Sequence, residues 1–90
     1  MANHKSALKR IRQSEKRRVF NRTFRNRTRT FVKHARETIA DGDLEAAKEA
    51  TRQAIRELDK NASRGVLHPN NAARRKGRLM KQLAALEAQS

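Results

Sequence analysis

Residues 20–43 read FNRTFRNRTRTFVKHARETIADGD and contain both an apolar stripe and the break that ends it. The stripe has spacings of 4, 7, 4 and 4 residues, which follow one face of a helix, and consists of Phe20, Phe24, Phe31, Ala35 and Ile39. An Asp-Gly-Asp turn follows at 41–43, where glycine suits a left-handed C-cap and Asp43 offers an N-cap oxygen. The stretch therefore predicts a helix, a tight turn and the start of a second helix.

A second break lies at residues 64–69, where Gly65 can close one helix and Pro69 fits the first position of the next. The predicted helices run from about Ser6 to Ala40, Leu44 to Ala62 and Pro69 to Ala88. Apolar stripes recur in the second and third helices, and we expect the three stripes to form the core: Leu44, Ala47, Ala54, Leu58 and Ala62, then Ala72, Leu79, Met80, Leu83 and Leu86. No segment alternates as a strand would. The sequence predicts an all-α, single-domain three-helix bundle over residues 1–90.

The first predicted helix is too long for its partners. At 1.5 Å per residue it spans about 52 Å, whereas the other two span about 28–30 Å. Its N-terminal end should therefore extend beyond the bundle, with residues 1–20 as a basic extension and residues 21–90 as the bundle. Because residues 1–18 repel one another and have no packing partner, we expect them to be largely disordered without a bound partner.

The charge is strongly positive and unevenly distributed. The 90 residues carry a net charge of +14, and residues 1–36 alone hold 13 basic residues and one acidic residue. Such a segment requires a partner rich in negative charge.

Cysteine is absent, and no apolar run approaches the roughly 20 residues that span a bilayer. We expect a cytoplasmic protein without a membrane segment.

The basic side chains of the first helix cover every side except the Phe20/Phe24 stripe, so they do not form the single polar face of a membrane-surface helix. Phosphates on several sides would satisfy them, since the arginine fork binds phosphate bidentately. These candidate nucleic-acid contacts are Lys5, Lys9, Arg10, Arg12, Lys16, Arg17, Arg18, Arg22, Arg25, Arg27 and Arg29. A second cluster on the third helix comprises Arg74, Arg75 and Lys76 with Arg78 and Lys81. Two separated basic surfaces suggest a protein that contacts two nucleic-acid segments. Hydrogen bonds could come from Asn3, Ser6, Gln13, Ser14, Asn21, Thr23, Asn26 and Thr28.

The sequence has no pattern that indicates catalysis, a metal site, a cofactor or a small-molecule substrate. Its three histidines match no ligand spacing, and it has no glycine-rich phosphate loop or catalytic set. The residues alone leave DNA and RNA open, because the chain has neither a helix-turn-helix pattern nor RNA-binding aromatic motifs. Two alternatives remain: a nucleoid-type DNA-compacting protein, and a regulatory interaction protein whose basic arm binds an acidic protein.

Residues 1–18, MANHKSALKRIRQSEKRR, and residues 65–80, GVLHPNNAARRKGRLM, resemble the family of protein twenty of the bacterial small ribosomal subunit. The resemblance covers the whole chain in order. It implies a cytoplasmic, ribosomal, non-enzymatic protein without a cofactor, a monomer within the subunit, that binds 16S ribosomal RNA directly during early assembly. It also implies contacts with the 5′ domain and the long penultimate helix. The matching contact positions are Lys5, Lys9, Arg10, Arg12, Ser14, Lys16, Arg17, Arg18, Arg74, Arg75, Lys76 and Arg78.

Three positions depart from the family pattern. Pro69 and Asn71 stand where the family often has Lys, which predicts weaker contact near the start of the third helix. Gly77 stands where Ser is common, and a mid-helix glycine costs about 1 kcal/mol of helix stability relative to Ala.

Overall fold

The computed structural model describes the backbone of residues 2–89 and the side chains of residues 5–89. It contains three α-helices: α1 (Ala2–Asp41), α2 (Leu44–Ser63) and α3 (Pro69–Gln89), and no strand occurs within residues 2–89. The all-α, three-helix prediction is confirmed. The predicted start at Ser6 is wrong by four residues, whereas the other predicted ends agree within one residue. Met1 and Ser90, the ends of the predicted domain, and the Asn3 side chain lie outside the described residues.

Local capping explains where the helices end and begin. Gly42 has a φ of +80° and Gly65 a φ of +78°, the left-handed conformation that glycine adopts without strain. The Asp43 side chain accepts a hydrogen bond from the Ala46 amide at 3.3 Å, as predicted for an N-cap. His68 caps α3, because its Nδ1 accepts a hydrogen bond from the Asn70 amide at 3.1 Å.

The helices run up, down and up, with α2 packed against both of the others. Two ion pairs fix the antiparallel pairing of α2 and α3. Lys48 near the start of α2 lies 4.0 Å from Glu87 near the end of α3, and Lys76 of α3 donates to Asp59 of α2 at 2.7 Å. The turn at 42–43 makes α1 and α2 antiparallel in the same way.

The core is small and rich in alanine. Its buried residues are Val32, Ala35, Ala50, Ala54, Leu58, Ala72 and Leu79, and its half-buried neighbours are Phe31, Ala62 and Leu67. Alanine lets helices approach closely, but each buries little apolar area. A core of this size stabilises the bundle but contacts only the C-terminal half of α1.

Two residues predicted for the core are wrong. Phe20 is 48% exposed, because α2 ends near Phe24 and only the loop residues Arg64 and Gly65 lie beside Phe20. Met80 is 57% exposed because it lies one residue, about 100° of helix rotation, from the buried Leu79. Both follow the sequence periodicity but lie outside the region that the neighbouring helices cover.

A buried polar contact aligns α1 with α2. Asn61, which is 1% exposed, donates through its side-chain amide to the backbone oxygen of Phe24 at 3.1 Å and to the Thr28 hydroxyl. Its backbone oxygen accepts from the amides of Val66 and Leu67 at 3.0 and 3.2 Å. Because buried amides must find partners, Asn61 fixes the register of the two helices and the path of the 64–68 loop.

The N-terminal half of α1 extends beyond the bundle. All side chains of residues 5–20 are exposed, and the first half-buried side chain is Asn21. The segment from Ala2 to Phe20 spans about 28 Å at helical rise, and the described chain measures 68 × 20 × 13 Å overall. We call residues 5–20 the overhang. The overhang is helical in the structure, although we expected residues 1–18 to be largely disordered without a partner. Only local backbone hydrogen bonds support this part of α1.

Candidate nucleic-acid interface

The overhang presents cations without any packing partner. Its basic side chains are all exposed, as is Ser14: they are Lys5, Lys9, Arg10, Arg12, Lys16, Arg17 and Arg18. Glu15 is the only acidic residue among them. Since these positions are distributed around the helix, the overhang can contact phosphates on more than one side.

One line of arginines continues from the overhang into the bundle. Arg18, Arg22, Arg25 and Arg29 are spaced 4, 3 and 4 residues apart, so they share one face of α1. They border a shallow depression of about 570 Å³ together with Ser14, Arg17, Asn21 and Asn26. The core of the bundle lies on a different side of α1, which leaves this arginine face in solvent.

A groove connects the arginine face of α1 with α3. It has a volume of about 430 Å³ and contains Arg25 and Arg29 of α1 and Arg75 of α3, with His68 and Asn71 beside them. The Nε of Arg75 donates to the Asn71 side-chain oxygen at 3.1 Å, which orients the guanidinium. The sequence suggested two separate basic surfaces, but the antiparallel packing makes them continuous here. We call this site the arginine groove.

Two predicted contacts have partners within the protein. Arg27 lies 3.3 Å from Glu57, which is only 5% exposed, and its guanidinium is 5.7 Å from the centre of the Phe31 ring. Lys76 is half-buried and forms the ion pair with Asp59. Both residues therefore also hold helices together, whereas Arg74, Arg75 and Arg78 of the same predicted cluster are exposed.

Two threonines proposed as hydrogen-bond donors to the partner are already engaged. The Thr28 hydroxyl is buried and donates to the Phe24 backbone oxygen at 2.9 Å. The Thr23 hydroxyl donates to the Val19 backbone oxygen at 2.9 Å. Such bonds to the preceding helical turn are common for threonine in helices and reduce its capacity to bind a partner.

Sequence reasoning missed Arg64. Its guanidinium lies 4.2 Å from the centre of the Phe24 ring and donates to the Asn61 side-chain oxygen at 3.3 Å. Arg64 belongs to the break between α2 and α3, so no helical spacing places it. The neighbouring Gly65 marks the turn but not the direction of the side chain.

The described residues contain no group of three or more His, Cys, Asp or Glu side chains that could hold a metal ion. No helix within them is long and apolar enough to cross a membrane.

These features define a class: small, strongly basic, all-α proteins in which one helix extends beyond a short bundle. The family model for "Ribosomal protein S20" matches residues 2–84. The chain is 52% identical over 86 residues to the small ribosomal subunit protein bS20 of Thermomicrobium roseum, covering 96% of this chain and 87% of the relative. It is equally identical to that of Geotalea daltonii, covering 96% and 99%, and 50% identical to that of Magnetococcus marinus, covering 98% and 99%. This chain belongs to the ribosomal protein S20 family.

Proposed function

We propose that this protein is a structural component of the small ribosomal subunit that binds 16S ribosomal RNA directly and helps its assembly. Its relatives are named as small ribosomal subunit proteins. The observation that carries direct RNA binding is the overhang, which holds seven exposed cations and one acidic residue. A helix with this charge and no packing partner suits a crevice between RNA helices, where phosphates lie on several sides. The proposal includes no catalysis and no cofactor.

The two parts of the chain have different roles in this proposal. Residues 1–20 form the RNA-binding extension, and residues 21–90 form the bundle that positions it. The arginine face and the arginine groove add phosphate contacts next to the bundle. From the family resemblance, we propose the 5′ domain and the long penultimate helix of 16S RNA as the segments contacted, with the protein as a monomer in cytoplasmic ribosomes.

The mechanism is electrostatic. Two RNA segments repel each other where their phosphates approach, and guanidinium groups between them lower that repulsion. Each phosphate that is neutralised releases a condensed counterion, which makes binding favourable at low salt. Once RNA binding orders the overhang, the continuous helix α1 holds the overhang and the arginine groove in a fixed relation, so the protein can favour one arrangement of the two segments.

A salt titration of binding to transcribed 16S RNA tests this proposal. Arg18→Gln removes an exposed cation from the arginine face, and Arg56→Gln removes an exposed cation from α2 that lines none of these basic depressions. Both changes lower the net charge by one. We expect Arg18→Gln to reduce the slope of log K against log salt by about 0.7–0.9, and Arg56→Gln to leave it nearly unchanged. Equal effects would mean that only the total charge matters.

Competition separates RNA from DNA as the partner. Ribosomal RNA should displace duplex DNA from the full protein at equal phosphate concentration, whereas a nucleoid-type protein would prefer the duplex. Cross-linking in cells, followed by sequencing of the attached nucleic acid, should recover two separate regions of 16S RNA. Sedimentation of the protein free of ribosomes, or recovery of scattered genomic DNA, would contradict the proposal.

A further inference from the structure

An exposed aromatic ring lies where α1 leaves the bundle. Phe20 is 48% exposed in a part of α1 whose other exposed residues are mostly basic. Its ring centre is 4.5 Å from that of Phe24, with the two planes inclined by 54°. The Arg64 guanidinium covers Phe24 at 4.2 Å. Phe20 thus packs against Phe24 on one side while almost half of its surface faces solvent.

A notch surrounds this ring. It has a volume of about 580 Å³ and is lined by Lys16, Arg17, Phe20, Asn21, Arg64 and Gly65. Three of these residues are cations and none is acidic. The half-buried side-chain amide of Asn21 has no hydrogen-bond partner among the described residues, so it can donate and accept. We call this site the Phe20 notch.

The chemistry of the lining identifies its occupant. A ligand that fits must offer a flat apolar face for Phe20, polar edges for Asn21 and negative charge for the cations. An unpaired nucleotide has all three, because its base has a π face and polar edges and its backbone carries phosphates. A purely apolar protein side chain would leave three cations without a counter-charge.

We propose that the Phe20 notch receives an unstacked nucleobase of the bound RNA, stacked on the exposed face of Phe20. The flanking phosphates lie on Lys16 and Arg17, and the Asn21 amide binds an edge of the base. This inference rests on the proposed function, since it takes 16S RNA as the partner. It adds a contact that depends on a ring rather than on charge, and it assigns Phe20, Asn21 and Arg64 to the interface.

Substitution of Phe20 separates stacking from apolar contact. Phe20→Leu keeps apolar surface but removes the ring, and Phe20→Tyr keeps the ring. Base stacking on an aromatic side chain typically contributes enough to change affinity by about tenfold. We therefore expect Phe20→Leu to weaken binding to transcribed 16S RNA about tenfold with an unchanged salt slope, and Phe20→Tyr to bind normally. Met80→Leu is the matched control, since Met80 is a 57% exposed apolar residue of α3 that lines neither the notch nor the other basic depressions.

Fluorescence gives an independent readout, because the chain has no Trp and no Tyr. Phe20→Trp introduces a single indole in the notch, and a stacked base should quench its emission when 16S RNA binds. Met80→Trp places a similarly exposed indole on α3, outside the basic depressions, and should be quenched much less. Circular dichroism of each free variant should match that of the unchanged protein, since Phe20 lies outside the core.

The outcomes distinguish this inference from the proposed function. If Phe20→Leu binds as tightly as the unchanged protein, or if both Trp variants are quenched equally, the Phe20 notch holds no base. Loss of affinity and salt slope on Arg18→Gln in the same assay would still support RNA binding. If neither Arg18→Gln nor Phe20→Leu changes binding to 16S RNA, both proposals fail.

Discussion

Arg27 and Arg29 lie two residues apart on α1 but have different surroundings. Arg29 lines the arginine groove and has no ion pair or side-chain hydrogen bond within the described chain. Arg27 pairs with Glu57 at 3.3 Å, and the other carboxylate oxygen of Glu57 has no hydrogen-bond partner among the described residues. Changing either arginine to Gln removes one positive charge. The two variants therefore separate the proposed RNA contact at Arg29 from the ion pair by which Arg27 supports the fold.

The expected effect of Arg29→Gln is on binding. Loss of one phosphate contact should lower the slope of log K against log salt by about 0.7–0.9, so that the fall in affinity between 50 and 200 mM salt becomes about threefold smaller. The free energy of unfolding should change by less than about 0.5 kcal/mol, because an exposed, unpaired side chain contributes little to stability.

The expected effect of Arg27→Gln is on stability. It leaves the nearly buried carboxylate of Glu57 without its cation, which costs about 3–5 kcal/mol in a fully buried pair. Because the Arg27 side chain is 56% exposed, solvent screens the pair and we expect about 1–2 kcal/mol. At about 4–8 °C per kcal/mol for a domain of this size, Tm should fall by roughly 5–15 °C.

Thermal unfolding by circular dichroism and salt-dependent filter binding measure the two effects on the same samples. The reasoning is refuted if Arg27→Gln leaves Tm unchanged while reducing the salt slope as strongly as Arg29→Gln. It is also refuted if Arg29→Gln lowers Tm as much as Arg27→Gln does. The double variant should show both effects independently, because Arg29 has no partner in common with Arg27.

Three further predictions concern the fold. Asn61→Ala should lower the free energy of unfolding by about 1–3 kcal/mol in urea titrations, because it removes both hydrogen bonds to α1; an unchanged midpoint would contradict its role in fixing the register. Gly77→Ala should raise stability by about 1 kcal/mol without changing RNA affinity, since, apart from the adjacent residues and the backbone of α3 itself, no atom lies within 4 Å of the added methyl group; a loss of stability would indicate a contact that the structure lacks. Amides of residues 5–18 should exchange rapidly in the free protein and slowly with 16S RNA, because a helix without tertiary contacts is marginally stable; strong protection in the free protein would count against this.

The sequence predicts the helices well because their ends are coded locally. The glycines at 42 and 65, the N-cap oxygen of Asp43 and the proline at 69 act within one or two turns, and the structure places each as predicted. Phe20 could not be assigned in this way. Its spacing matches the core stripe, but its exposure depends on where α2 and the 64–68 loop stop, which is set by packing between distant segments.

The position of Asn61 shows the same limit for polar residues. A polar side chain near the end of a predicted helix is normally exposed, and nothing in the sequence of α2 indicates that Asn61 faces Phe24, 37 positions earlier. That pairing follows from the length of the turn and the antiparallel register together. Similarly, glutamate is a residue type normally found at the surface. The burial of Glu57 becomes evident only in the folded structure, where Arg27 lies across from it.

For the candidate interface, the sequence establishes which residues carry charge but not which of them are available. The excess of basic residues in the overhang is evident by counting, and the structure leaves all of them exposed. The arginine groove is different, because Arg75 meets Arg25 and Arg29 only after α2 and α3 have folded back along α1. Lys76 has the same charge as Arg75 and is its neighbour in sequence, yet it turns toward Asp59.

The continuity of α1 links these observations. The same helix contributes Val32 and Ala35 to the core and carries the arginine face that starts in the overhang. We propose that, once bound RNA has ordered the overhang, the stiff helix cannot adjust the overhang and the arginine groove separately, so RNA bound at one determines where RNA must lie at the other. A flexible attachment of the overhang to the bundle would allow the two RNA segments many relative positions but would favour none of them. A protein that helps a large RNA adopt one arrangement gains from the rigid alternative, and the small alanine-rich core suffices because its role is to hold that helix in place.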